Sequence, residues 1–214
     1  MIKKIKASRL ERILLIFVII LAIFTLSSFI IIKNKCMFVE NYDPDKIKFS
    51  KPENIAILNI SCGNVIIELY PDISRNAVKR FMFLINSKAY DEVAFHRVIK
   101  NKLVQSGDLE FGRKNNLDYG KIGTGSSSYG TINSELDSDF KFTKGSVGLV
   151  RTFKNNTEDS QFFIILQDEP LFEGEYTPVG KVLYGLEILE KIKHQDYSEY
   201  VLRPDFINTF RMYE

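Results

Sequence analysis

Tryptophan is absent from this chain, and cysteine and histidine occur only twice each among its 214 residues. Cys36 and Cys62 lack the spacing of a metal or redox pair, and His96 and His194 belong to different predicted elements. We therefore expect neither a metal site nor a bound cofactor, because no cluster of ligands is present in the sequence. No serine or cysteine nucleophile motif accompanies either histidine, which argues against a hydrolase triad.

Excess charge of either sign is also missing. Lysine and arginine number 29 against 27 acidic residues, so the formal net charge is only +2. A strongly basic surface is thereby excluded, and we expect no nucleic-acid partner. The chain is long enough for one well-buried domain and an appendage, and its seventeen phenylalanines can supply the core.

One uncharged apolar segment, Ile13–Ile32, stands apart from the rest of the sequence. A helix of this length rises about 30 Å, which matches the hydrocarbon core of a bilayer. Five basic residues precede it, namely Lys3, Lys4, Lys6, Arg9 and Arg12. The positive-inside tendency then predicts a cytoplasmic N-terminus (1–12), a signal-anchor helix (13–32) and a large domain on the exported side. The most consistent location is a bacterial inner membrane, with the domain facing the periplasm.

Two other interpretations of the N-terminus stay open. A cleaved secretory signal would have an apolar core of about 7–15 residues and a small-residue cleavage site, and neither is found. Lipid attachment at Cys36 is disfavoured because Lys33-Asn34-Lys35 precedes it. Residues 33–53 are polar and contain two prolines, which is typical of a linker. The two cysteines would form a disulfide in an oxidising compartment, but we expect two unrelated thiols, since Cys36 lies close to the predicted membrane surface.

Periodicity predicts several elements after the linker. Segments 55–60 and 64–70 alternate around a short turn and predict a hairpin. Ser74 is a suitable N-cap for a helix with the 3.6-residue apolar period, whose core positions are Ala77, Val78, Phe81, Leu84 and Ile85. A second helix is predicted at about Leu186–Lys193, with Leu186, Leu189 and Ile192 buried, and Phe206, Asn208 and Phe210 alternate as a final strand.

Two short segments alternate with the period of two that is typical of half-buried strands. They are 95–99 (Phe-His-Arg-Val-Ile) and 160–164 (Ser-Gln-Phe-Phe-Ile). In the first, the alternation predicts Phe95 and Arg97 on one face and His96 on the other. An arginine beside aromatic positions, with glutamines nearby, favours a shallow apolar pocket carrying one fixed cation and amide donors. Such a pocket suits binding a peptide rather than cleaving one.

The motifs that carry this pattern resemble those of the cyclophilins, the peptidyl-prolyl cis-trans isomerases. They are Phe95-His96-Arg97-Val98-Ile99, Gln105-x-Gly107-Asp108, Ser160-Gln161-Phe162-Phe163-Ile164 and Val179-Gly180-Lys181-Val182. The resemblance covers residues 54–214 and implies a mostly β domain, a closed eight-stranded antiparallel barrel capped by two helices. It also implies isomerisation of X-Pro bonds in proline-containing polypeptides, in a bacterial-like member of the family that would assist the folding of exported proteins.

The resemblance assigns the site as well. Arg97 stands at the position of the family's catalytic arginine, and a guanidinium suits that task because it stays charged and presents donors in a rigid fork. The glycine-rich segment 112–130 would lie beside the groove. The substrate-binding positions that the resemblance implies are Phe95, Leu103, Gln105, Thr152, Gln161, Phe163, Leu171, Phe172 and Tyr176. His96 is expected to be a structural histidine, since isomerisation transfers no proton.

Several positions depart from the family pattern. Lys102 replaces a common pocket phenylalanine, and Leu171 replaces the tryptophan that contacts cyclosporin in many members, which implies weak cyclosporin binding. Tyr176 replaces a frequent histidine, and Arg151-Thr152 resembles bacterial members. The alternative function is a catalytically weak module that binds proline-containing segments.

Overall fold

The computed structural model describes residues 8–33 and 35–214, without the side chains of residues 30–33. The first seven residues of the predicted cytoplasmic N-terminus and Asn34 of the predicted linker lie outside this description. Two compact units are present, with their boundary between Phe38 and Val39.

The first unit contains helix α1, Arg9–Lys33. Its N-terminus has a capping box, in which the Glu11 backbone N–H donates to Ser8 Oγ (3.2 Å) and the Ser8 N–H donates to the Glu11 carboxylate (2.6 Å). From Arg9 to Phe29 this helix is long and apolar enough to cross a membrane, by length and composition. The predicted apolar segment is therefore helical wherever it is described.

Within the described residues, the second unit folds around one antiparallel sheet of eight strands, in the order β3-β4-β6-β5-β7-β2-β1-β8. The strands are β1 (Ile55–Ile60), β2 (Gly63–Leu69), β3 (Arg97–Ile99), β4 (Leu103–Ser106), β5 (Ser146–Leu149), β6 (Phe162–Ile165), β7 (Pro178–Tyr184) and β8 (Thr209–Met212). The sheet curls into a barrel-like shape, and the predicted opening hairpin is confirmed as β1 and β2.

The prediction of a closed barrel is too strong. In the described chain, β3 and β8 form the two edges of the sheet and share no continuous ladder. Isolated bonds join the segments that precede them: Glu92 N–H donates to Ile207 O (2.8 Å), and Phe95 N–H donates to Asp205 O (2.9 Å). Both edge strands are short and irregular chain lies before them, so the gap is bridged by single contacts. The predicted final strand is also shorter than expected: Phe206 lies in the irregular chain before β8, where it makes an isolated bridge to Ala94.

Helix α2, Arg75–Asn86, covers one end of the barrel and buries the five predicted core positions. The ring of Phe81 lies edge-on to Phe162 (5.2 Å between centroids) and to Phe210 (5.6 Å), so α2 is fixed to β6 and β8. Ser74 occupies the N-cap position as predicted, but its hydroxyl makes no cap bond. The Glu135 carboxylate replaces it and accepts the N–H groups of two first-turn residues at 3.1 and 2.8 Å.

The second predicted helix is shorter than expected. Helix α3 spans Leu186–Leu189, and the chain continues in turns to Ile192. Leu189 and Ile192 are buried as predicted, whereas Leu186 is only partly buried and Ile188 takes its place in the core. A single turn suffices here because the burial of these three side chains, rather than helix propensity, holds the segment.

The segment predicted as a linker is packed on the barrel from Val39 onward. Tyr42 and Phe49 contact Tyr184 and Tyr213, with ring centroids 5.3 and 5.0 Å apart. Together with Ile47 they cover a buried cluster of Ile55, Ile57 and Ile66. The expectation of two unrelated thiols is also wrong, because Cys36 and Cys62 are both disulfide-bonded.

Candidate active site

A row of four residues crosses four neighbouring strands. Arg97 of β3 lies opposite Gln105 of β4, which lies opposite Phe163 of β6, which in turn lies opposite Gly148 of β5. Residues directly opposite each other in an antiparallel pair share a face of the sheet. The register therefore places a cation, an amide and an aromatic ring side by side, although β3 and β6 are far apart in the sequence.

Arg97 has a partly exposed side chain, with a relative accessibility of 29%. Its Nη1 donates to Gln105 Oε1 (3.1 Å), and its Nε donates to Glu199 Oε2 (2.7 Å). The guanidinium is thus held on two sides while part of it reaches solvent. This arrangement fixes a positive charge at a position that solvent reaches.

A chain of buried hydrogen bonds orients the two glutamines. Gln105 Nε2 donates to Gln161 Oε1 (2.9 Å), and Gln161 Nε2 donates to the carbonyls of Gly123 (3.0 Å) and Gly125 (2.8 Å). The N–H groups of the same two glycines donate to Asp108 Oδ2, at 2.6 and 3.0 Å. Because both amide groups are satisfied in one orientation only, the carbonyl of Gln105 is directed at Arg97.

The apolar part of the site surrounds Phe163. Its ring centroid lies 5.4 Å from that of Phe172 and 5.2 Å from that of Tyr176, both in edge-to-face geometry. Leu103 belongs to the same cluster, in which Phe172 and Tyr176 stay partly exposed. Gly148 makes room for Phe163, since a Cβ at position 148 would lie only 2.6 Å from its Cζ. The result is an aromatic cluster that reaches the surface at Phe172 and Tyr176.

Three sequence-predicted residues are not part of the aromatic cluster around Phe163. Phe95 is fully buried at 0% exposure, precedes β3 and does not contribute to the pocket cluster, so its ring serves the core. Leu171 is 84% exposed and shares a 3₁₀ turn with Phe172 at the pocket rim. Thr152 is exposed, and its hydroxyl lies 3.0 Å from that of Thr157. Of the nine predicted substrate-binding positions, Leu103, Gln105, Gln161 and Phe163 are also buried, at 3%, 6%, 8% and 3% exposure, but Phe95 alone is at 0%.

Acidic residues pair with the cations around the pocket. Arg97 pairs with Glu199, Lys102 with Glu169 at 3.4 Å, and Arg151 with Glu175 at 2.7 Å. Arg151 also lies over the ring of Tyr176, 5.4 Å from its centroid. Sequence reasoning missed the three glutamates, because Glu169 and Glu175 lie in the connection between β6 and β7 and Glu199 lies before β8, and no spacing links them to their partners. The charge that Lys102 brings to the site is therefore partly compensated.

His96 is buried beside this network, with Nε2 3.4 Å from Gln105 Nε2. Burial lowers the pKa of His96 from 6.5 to about 4, and the nearby Asp108 carboxylate only partly offsets this effect. The imidazole is therefore neutral at physiological pH. The His96 ring contacts the Gln105 amide, which also binds Arg97. The prediction that His96 and Arg97 lie on opposite faces of the strand is therefore not strictly met. No metal-binding cluster of His, Cys, Asp or Glu occurs among the residues that the structure describes.

Comparisons with known proteins agree with this geometry. The family model for "Cyclophilin type peptidyl-prolyl cis-trans isomerase/CLD" matches residues 55–211. A probable peptidyl-prolyl cis-trans isomerase of Brucella suis is 40% identical over 149 residues, which are 69% of this chain and 76% of that protein. One from Arabidopsis thaliana is 31% identical over 144 residues, or 67% and 81% of the two chains. The crystal structure of a Cryptosporidium parvum cyclophilin-type isomerase, determined in the presence of the dipeptide Ala-Pro, superposes with a TM-score of 0.65 and 26% identity. The superposition covers 75% of this chain and 99% of that one.

Proposed function

This chain belongs to the cyclophilin family of peptidyl-prolyl cis-trans isomerases, and we propose that Arg97 is its catalytic residue. The observation that carries the proposal is the row of Arg97, Gln105 and Phe163 on one face of adjacent strands. A prolyl ring placed on the aromatic cluster around Phe163 would bring its amide bond within reach of the guanidinium. The presence of Ala-Pro in the Cryptosporidium crystal structure supports a proline-containing ligand here.

The chemistry requires no nucleophile, base or metal. Rotation about an X-Pro bond is slow because amide resonance imposes a barrier of about 18–20 kcal/mol. At the top of the barrier the prolyl nitrogen loses that resonance and gains a lone pair, which a cationic donor stabilises better than the planar amide. Arg97 supplies this donor in a fixed position. Gln105, held by Gln161, contacts the substrate backbone and keeps the guanidinium in place.

The remaining groove residues bind without reacting. Leu103, Phe163, Phe172 and Tyr176 hold the prolyl ring, while Thr152 and Leu171 contact neighbouring residues of the substrate at the rim. Isomerase activity of the full-length chain in detergent micelles on a short X-Pro peptide, followed by two-dimensional exchange NMR, tests the assignment. We expect clear acceleration over the uncatalysed rate. Peptide binding by calorimetry without acceleration would instead support the second candidate, a binding module, which the charge of Lys102 at the pocket favours.

We further propose that α1 anchors the protein in a membrane and that the isomerase domain acts on exported proteins. Two observations support this placement: the length and apolarity of α1, and the disulfide-bonded state of Cys36 and Cys62, which is typical of oxidising compartments. In this arrangement residues 1–12 are cytoplasmic and 13–32 span the membrane. The connecting segment then ends near Val39, where the compact unit of the barrel begins.

Cell fractionation tests this proposal. The full-length protein is expected to resist carbonate extraction and to become protease-sensitive when the exported face is opened. Moving positive charge from residues 3–9 to the connecting segment should disturb the orientation. Recovery of a soluble product that begins after residue 28 would show that the apolar segment is a cleaved signal.

A further inference from the structure

The carboxylate of Glu199 is bound directly to Arg97. Nε of Arg97 donates to Glu199 Oε2 at 2.7 Å, and one terminal nitrogen lies 2.7 Å from the same oxygen. The other terminal nitrogen donates to Gln105 Oε1 at 3.1 Å. A guanidinium has five N–H groups, so these three contacts leave two for a substrate. Glu199 therefore occupies one edge of the guanidinium. Because the guanidinium is planar and rigid, this contact also sets the direction in which its remaining N–H groups point.

Glu199 is itself held by the backbone. Its carbonyl accepts the N–H of Val98 (2.7 Å), and the N–H of Val201 donates to the carbonyl of His96 (2.9 Å). Residues 199–201 thus run antiparallel along β3, opposite the residues that flank Arg97. The next residue, Tyr200, lies against Gly123, whose carbonyl binds Gln161. The segment is in this way joined to both ends of the polar network of the site.

Stability does not account for the pair. The side chains of Arg97 and Glu199 are 29% and 53% exposed, and ion pairs at such exposure contribute little to folding. A flexible arginine next to a substrate site, in contrast, loses activity when its orientation is not fixed, because only the correctly oriented fraction is competent. Nε and one terminal nitrogen of Arg97 both contact the same Glu199 oxygen, and these two contacts fix the orientation of the guanidinium.

We propose that Glu199 is a positioning residue that holds Arg97 in the orientation used for isomerisation. The inference rests on the catalytic role proposed for Arg97 and extends it to a residue in the C-terminal part of the chain. Glu199 touches no substrate in this scheme and acts through Arg97 alone.

A double-mutant cycle in the full-length chain tests the proposal. The variants are Glu199→Ala, Glu199→Gln, Arg97→Ala and the combination of Glu199→Ala with Arg97→Ala, assayed for kcat/KM on a neutral X-Pro peptide. We expect Glu199→Ala to lower kcat/KM by about three- to tenfold. Glu199→Gln keeps an oxygen acceptor for Nε and should recover part of this loss. With Arg97 already replaced by alanine, Glu199→Ala should change kcat/KM by less than about twofold.

The matched control is Glu190→Ala, which removes a similarly exposed carboxylate from the pair with Lys144 and should leave kcat/KM unchanged. An equal loss from Glu199→Ala with and without Arg97 would overturn the proposal, since the effect would then be structural. Unchanged or increased activity of both Glu199 variants would overturn it as well, while leaving the role of Arg97 intact. Full activity of Arg97→Ala would overturn both assignments. Should Glu199→Ala fail to fold, Glu199→Gln is compared in the parent chain and in the Arg97→Ala variant, and a loss of kcat/KM that depends on Arg97 supports the proposal.

Discussion

Replacement of Arg97 by alanine tests the proposed chemistry most directly. The substitution removes the guanidinium beside the aromatic pocket and leaves Gln105 bound to Gln161 at 2.9 Å. Loss of one preorganised donor that stabilises a transition state typically lowers the rate by 10²–10³, or about 2.7–4 kcal/mol. We expect a fall of this order in kcat/KM, with peptide affinity reduced much less because the pocket around Phe163 is unchanged.

The same substitution should hardly affect folding. The polar contacts that it removes are the ion pair with Glu199, whose partners are 29% and 53% exposed, and the bond to Gln105. An exposed ion pair contributes about 0.2–1 kcal/mol, so the free energy of unfolding should fall by no more than about 1–2 kcal/mol. Loss of activity and loss of stability are thereby separable.

The measurement combines exchange NMR on an X-Pro peptide with urea unfolding of the same preparation. Lys144→Ala serves as the control, because it removes another partly exposed cation from an ion pair outside the groove. Activity of Arg97→Ala within a factor of two of the parent would refute the mechanism. A collapse of stability by several kcal/mol would show instead that Arg97 serves the fold.

Four further predictions concern Gly148, the exposed position 171, the buried histidine and residues 39–53. Gly148→Ala should push against Phe163, 2.6 Å from the new Cβ, and lower stability by about 1–3 kcal/mol together with activity; unchanged urea midpoints would contradict this. Leu171→Trp should tighten cyclosporin binding in calorimetry, since the parent lacks an indole at an 84% exposed position; tight binding by the parent would refute the reasoning. Because the pKa of His96 falls from 6.5 to about 4 on folding, the contribution of His96 to stability should be constant above pH 6.5 and decrease by on the order of 3 kcal/mol as the pH falls to 4. Urea titrations of parent and His96→Gln check this, as the variant should lose that part of the pH dependence. Deletion of residues 39–53 uncovers an isoleucine cluster and should lower the free energy of unfolding by on the order of 3 kcal/mol, whereas a freely moving linker would have no effect.

Local periodicity predicted much of the fold. The alternation at 55–60 and 64–70 located β1 and β2, and the 3.6-residue period after Ser74 located α2 with its five buried positions. Both patterns depend on residues close in sequence. The site was predicted through the resemblance rather than by periodicity, and the structure brings Arg97, Gln105 and Phe163 together in one row.

What sequence could not supply are contacts between distant segments. Glu135 caps α2 from a loop 59 positions away, and Glu199 binds Arg97 across 102 positions. Neither pairing has a local signal, because a carboxylate on a loop has the same pattern whether it faces solvent or a partner. The position of Phe95 was also predicted wrongly. Alternation predicts that Phe95 shares a face with Arg97, but β3 begins only at Arg97 and the Phe95 side chain is buried in the core.

The pairing of β3 with residues 199–201 joins segments about a hundred positions apart in the chain. Closing the loop between Arg97 and Glu199 costs conformational entropy, and this cost is offset only once both segments have docked. Topologies rich in such non-local contacts fold in milliseconds to seconds rather than microseconds. On the ribosome, β3 to β7 emerge before Glu199, and domains fold as units once their parts are available. A chain whose synthesis stops short of residue 199 therefore carries every motif of the site and still lacks the segment that pairs with β3 and binds Arg97.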